Sequence, residues 1–156
     1  MRYKRQRIEW YKSERLAIFF SQMPNIIMRE TNEDSNKFEV MDVENYPFRN
    51  VEPFVCTIFD HKEFKKHQFV IPKMNYDGAT IPKFLWLIIG ANTDPLYKRP
   101  ALLHDFCCVH KEVIKNNREL STEVFKAMLY REGVPKFRAN IMCFFVDLFQ
   151  RLFCHW

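Results

Sequence analysis

Glycine is nearly missing from this chain: 156 residues contain three, Gly78, Gly90 and Gly133. That supply excludes a glycine-rich loop wrapped around nucleotide phosphates, which needs several positions where backbone approaches ligand without a Cβ. Each glycine instead falls where conformational freedom is useful: beside Asp77, after a short apolar stretch, and ahead of Val134 and Pro135. Zinc-ligand spacing is also missing. The five cysteines, Cys56, Cys107, Cys108, Cys143 and Cys154, form no CxxC pair, and no HxxxH occurs. Zinc held by Cys107, Cys108, His104 and His110 is therefore a minor alternative. An odd cysteine count makes a disulfide framework unexpected. The opening MRYKRQRIEWYK is basic and leads into no long apolar run with a cleavage site, so no signal peptide is read and reduced thiols are expected.

What the chain does have is aromatic mass and positive charge. Sixteen phenylalanines and an aromatic content of 16% imply a core built on rings. The length suits one main domain with a sizeable core. A net charge of +5 favours anionic partners, phospholipid headgroups ahead of nucleic acid, although a plain basic surface has the same signature. Residues 1–36 read as a basic and aromatic N-terminal arm, in which Leu16, Ile18 and Phe20 alternate as in a strand. Its polar end, RETNEDSN at 29–36, reads as a loop.

Residues 37–156 read as a single α+β domain. Short alternating runs at Phe38–Met41, Phe54–Phe59 and Gln68–Ile71 predict a small antiparallel sheet, with His61 and His67 exposed around the intervening turn. Three to four helices follow. One spans Lys83–Ile89 after Pro82 and stops at Gly90; Pro100 opens the next, which carries His104 and Asp105 at the centre of the fold. A third runs from Arg118 to Glu132 and is stopped by Gly133 and Pro135. In the last, Phe137, Ile141, Phe144, Phe145, Leu148 and Leu152 share one side, read as the core side. Lys136, Asn140, Cys143, Asp147 and Gln150 share the other. Its length would reach across a bilayer, but Arg138, Asp147 and Arg151 argue against spanning; interfacial contact through Phe149, Phe153 and Trp156 is the alternative.

The stretch from Asp77 to Asp105 holds the residues that packing alone does not ask for. A carboxylate beside glycine, then an imidazole next to a second carboxylate in an apolar helix, can supply a metal ligand and a general base. The same residues have structural uses: Asp77 can fix a turn, His104 can be a bonded core histidine, and Asp105 can pair with Arg99 or Arg138.

At DGATIP followed by PALLHDF, the chain resembles an uncharacterised family of phages and prophages, a domain of unknown function. Its members share a DGA[ST]IP motif, an LHD helix, a helix with an Ala-Asp pair and an aromatic, a Gly-Val-Pro, and an Arg-Ala before an apolar helix. Here these fall at Asp77–Pro82, Leu103–Asp105, Ser121–Phe125, Gly133–Pro135 and Arg138-Ala139. The order of residues is also similar to the small bacterial secreted phospholipases A2. That likeness implies His104 as the base for a water and Asp105 as a calcium ligand, with Asp77 and carbonyls near Gly78 completing the calcium site. The residue that orients the imidazole would be Thr122, where those enzymes have an aspartate; a hydroxyl cannot stabilise an imidazolium as a carboxylate does. A likeness of LLHD to HD-type phosphohydrolases is weaker, because His110 and His155 are the only further histidines in the C-terminal half.

The resemblance implies a phage protein, in the host cytoplasm or the virion and not transmembrane. The first expectation is a non-enzymatic virion, tail or host-interaction component on a hydrolase-like scaffold. The alternative is a calcium-dependent, phospholipase A2-like ester hydrolase with His104, Asp105 and Thr122 at its catalytic site and Asp77, Gly78 and Asp105 around calcium. A host protein or an anionic membrane surface is the partner in view.

Overall fold

A computed structural model of the chain describes residues 11–12, 15–77 and 95–153. Within them the architecture is α+β, two antiparallel sheets and four α-helices. The larger sheet contains β1 (Tyr11–Lys12), β2 (Leu16–Phe20), β5 (Phe54–Asp60) and β6 (Lys65–Ile71), in the order β1-β2-β5-β6. The smaller has β3 (Ile26–Met28), β4 (Phe48–Asn50) and β7 (Asn75–Tyr76), in the order β3-β4-β7. The helices are α1 (Lys37–Asn45), α2 (Pro95–Val109), α3 (Arg118–Arg131) and α4 (Lys136–Phe153), with a 3-10 turn at Lys111–Ile114.

The β5–β6 hairpin follows from its pattern. In β6, His67, Phe69 and Ile71 point inward while Lys66, Gln68 and Val70 face solvent, the period of two that puts alternate side chains on opposite faces. β2 lies between β1 and β5, with Ile18 opposite Ile58, so Leu16, Ile18 and Phe20 share the core of residues 54–71. Arg15 ties this sheet to its turn: its guanidinium forks onto Asp60 at 3.1 and 3.0 Å. Burial pushes the Asp60 carboxyl up, but the bonds from Arg15 and the Lys62 backbone N–H outweigh it and hold the carboxyl below its usual range. Phe69 on β6 stacks on Phe106 of α2 at 5.5 Å, joining sheet to helices.

Several expectations are corrected. Phe38–Met41 belongs to a helix rather than a strand, because Asn36 caps it: the Asn36 Oδ1 accepts from the Glu39 N–H at 2.9 Å, and the Glu39 carboxylate reaches back to the Asn36 amide. That helix, α1, buries none of its residues. α2 begins at Pro95, so Pro100 lies within the helix rather than opening it. His61 is exposed as expected, but His67 is buried, and burial lowers its pKa. Gly78, Gly90 and the Lys83–Ile89 helix lie outside the described residues.

The largest correction concerns α4. Ala139, Met142, Cys143 and Gln150 face the core, while Phe137, Phe144, Leu148 and Leu152 face solvent; Met142 is 2% exposed and Phe144 63%. Most of the side read as core is outside; of its six residues only Ile141 and Phe145 are half-buried against the core. Burying a phenylalanine or leucine is worth about 1.5–3 kcal/mol, so this rotation must be fixed by something stronger than apolar area alone. Two polar contacts do so: Asp147 pairs with Arg118 of α3, and the Gln150 amide enters a polar niche between α2 and α3. α3 is as expected, with Leu120, Val124, Ala127, Met128 and Leu129 buried and Gly133 at φ +88 beyond its end.

Met142→Ala should therefore cost about 2–4 kcal/mol in urea unfolding, as a buried side chain, whereas Phe144→Ser should change stability by less than about 0.5 kcal/mol. The reverse ranking would mean that α4 sits the other way round.

Candidate functional site

The site is assembled around two buried amides, Asn50 and Gln150. Asn50 closes β4 and is fully buried; its Nδ2 donates to the carbonyls of Glu52 at 3.1 Å and Pro72 at 2.9 Å, and its Oδ1 accepts from the Met74 N–H at 2.8 Å. These bonds hold the segment leading into β7, where Tyr76 pairs with Phe48 and its hydroxyl donates to the Lys98 carbonyl of α2 at 2.8 Å. β7 is thereby fastened to α2, and the next residue, Asp77, meets the helix about two turns further on.

There the Asp77 side chain hydrogen-bonds Asp105. The two carboxyls line an open cleft of about 250 Å³ with Tyr46, Met74, Tyr76 and Cys108. Burial, then the hydrogen bond and negative charge of Asp77, push the Asp105 carboxyl well above its usual range, so it carries the proton that a carboxyl–carboxyl bond requires. Its Oδ2 is buried with no hydrogen-bond partner. Neither Arg99 nor Arg138 takes the pairing role open to them in sequence: Arg99 bonds the Pro24 carbonyl at 2.6 Å and Glu132 at 3.4 Å.

His104 precedes Asp105 but turns into the helix bundle. Its ring packs against Phe125 of α3 at 5.3 Å, and its Nε2 lies 2.7 Å from the Gln150 amide nitrogen of α4. The Nδ1 lies 3.9 Å from Asp105 Oδ1, too far for a direct hydrogen bond. The bonds around Gln150 fix its orientation. Ser121 donates its hydroxyl to the Arg118 carbonyl at 2.6 Å, so its oxygen accepts from the Gln150 amide at 3.1 Å. Thr122 Oγ1 donates to Gln150 Oε1 at 3.2 Å. An amide N–H donated to Nε2 requires that nitrogen to be an acceptor, which leaves the ring proton on Nδ1.

The structure thus brings Asp77 and Asp105 together at the cleft, while His104 turns away from it into the bundle, with Thr122 one hydrogen bond removed from the imidazole. Gly78 lies outside the described residues. Gln150 and Asn50 were missed in sequence. Gln150 had a visible signal, a polar residue in the register of Cys143 and Asp147, but the aromatic stripe opposite outweighed it; Asn50 had none. Three of the described thiols are not nucleophile candidates, since burial pushes Cys56 and Cys107 up and Cys143 to about 12, whereas the half-buried Cys108 lines the cleft with its Sγ 3.6 Å from His104 Nε2. Among the described residues no group of three or more His, Cys, Asp or Glu is arranged around a metal position. No described helix is long and apolar enough to cross a membrane.

A family model described as a protein of unknown function (DUF1353) matches residues 54–146, and the chain belongs to that family. The match runs from the first residue of β5 into α4 and includes Asp77, His104, Asp105 and Thr122. No curated protein and no solved structure matches the chain.

The raised Asp105 pKa has a testable sign. Its contribution to stability is fully present below the ordinary aspartate range, where folded and unfolded chains both hold the proton. It is lost as pH rises through the higher folded value, because the unfolded chain gains by ionising. Urea midpoints across a pH series should show Asp105→Asn gaining on the wild type as pH rises. A difference independent of pH would remove the shared proton.

Proposed function

Because the family carries no assigned activity, the function has to be argued from the site, and we propose that the chain is a phage-encoded, non-enzymatic protein on a hydrolase-like scaffold. In this reading it serves as a virion or tail component or in host interaction. One observation supports the loss of chemistry: the Gln150 amide nitrogen lies 2.7 Å from His104 Nε2. A general base must offer an unprotonated nitrogen to water. Here the nitrogen on the Asp105 side carries the proton and the other is occupied. An amide also carries no charge with which to stabilise an imidazolium, and Thr122 bonds that amide rather than the ring.

A second reading, the calcium-dependent ester hydrolase, is favoured by the Asp77–Asp105 pair. Two carboxyls, one with a buried and unpartnered Oδ2, suit a hard cation that prefers oxygen. They would supply part of the roughly six to eight oxygens that calcium takes. Bound there, calcium would supply Lewis-acid polarisation of an ester carbonyl. For His104 Nδ1 to accept a proton from water, the Gln150 amide would have to turn and take the Nε2 proton on Oε1.

Calorimetric titration with calcium and an assay on micellar phospholipid separate the readings. The expected result is no turnover above that of His104→Gln, with or without calcium. Turnover abolished by His104→Gln would overturn the non-enzymatic reading, and a calcium-binding heat lost in Asp105→Asn would assign the carboxyl pair to the cation.

A further inference from the structure

We propose that the outward face of α4 docks flat on an anionic phospholipid surface. Phe137, Ile141, Phe144, Leu148 and Leu152 follow one another at spacings of four, three, four and four, so they form one stripe along the helix. Four of these five are classed exposed and Ile141 is half-buried. The stripe lies directly opposite Ala139, Met142 and Gln150, so α4 is apolar outward as well as inward. Arg151, seven residues beyond Phe144, borders its C-terminal end.

The charges flanking the stripe select the occupant. Lys136 and Arg138 stand at one end and Arg151 at the other, and the helix has a single acid, Asp147, already paired with Arg118 and Arg151. A second copy laid antiparallel through the same face would set Lys136 and Arg138 against Arg151, and a parallel copy would set each cation against its equivalent. Like charges meet either way. The acidic helix α1, with exposed Phe38 and Met41, is complementary in sign, but its nine residues span half of the eighteen of α4. A surface of anionic headgroups meets both basic ends at once while acyl chains receive the rings. The chain's net charge of +5 acts in the same direction. The side chains of Phe153 and Trp156 lie outside those described, and the proposal does not use them. It is also independent of whether His104 does chemistry.

The test is co-sedimentation of the full chain with vesicles of phosphatidylcholine alone or mixed equally with phosphatidylglycerol, at low and high salt. The wild type should partition onto the anionic vesicles about tenfold more strongly, and salt should weaken it. Phe144→Ser combined with Leu148→Ser should lower that partition about tenfold with an unchanged circular-dichroism melt. Lys136→Gln should reduce binding to anionic vesicles only. Binding retained in the double variant, absence of wild-type binding to both vesicles, or a lipid-free dimer that needs Phe144 and Leu148 would overturn the proposal.

Discussion

The Gln150 amide is the contact on which the arrangement of the C-terminal half turns. Buried to 1% exposure, it meets His104 on α2 and both Ser121 and Thr122 on α3. A buried polar group left without partners costs about 1–3 kcal/mol, and here several groups would lose theirs together if α4 rotated. The Arg118–Asp147 pair pulls in the same direction from one turn earlier. The two interactions account for a helix that hides Gln150 and presents Phe144 to solvent.

That choice couples the site to the surface. The amide that meets His104 is also one that sets which side of α4 faces out, so the surroundings of the imidazole and the exposure of Phe144 and Leu148 share one cause. Asn50 is the counterpart at the other end of the site. It holds the approach to β7 by two hydrogen bonds, with Pro72 and Met74, and so helps to place Asp77 beside Asp105. The carboxyl pair therefore depends on a residue that never touches it.

Much was legible beforehand. The β5–β6 hairpin, the Leu16–Ile18–Phe20 alternation and α3 with its Gly133 stop all rest on local periodicity and cap chemistry, which act over a few residues. Of the three residues singled out, Asp77 and Asp105 line one cleft, while the imidazole of His104 turns into the bundle. Less legible was α1, where Phe38 to Met41 alternates as well as any strand; the Asn36–Glu39 cap decided it, and that signature was present but outranked. His67 was judged by its lysine neighbours, yet in an alternating strand the neighbours face the opposite way.

By itself, then, the sequence determined the element types wherever period and caps agreed, the α+β class, and the set of chemically unusual residues, because those properties are carried by residues close together in the chain. Tertiary structure decided which side of α4 is inside, which amide meets the His104 ring, and which partner Asp105 has. Each of those depends on groups dozens of residues away, Gln150 on His104 and Asp77 on Asp105. Hydrophobic pattern ranks the faces of a helix by apolar area, but it has no means of counting the polar partners that wait inside.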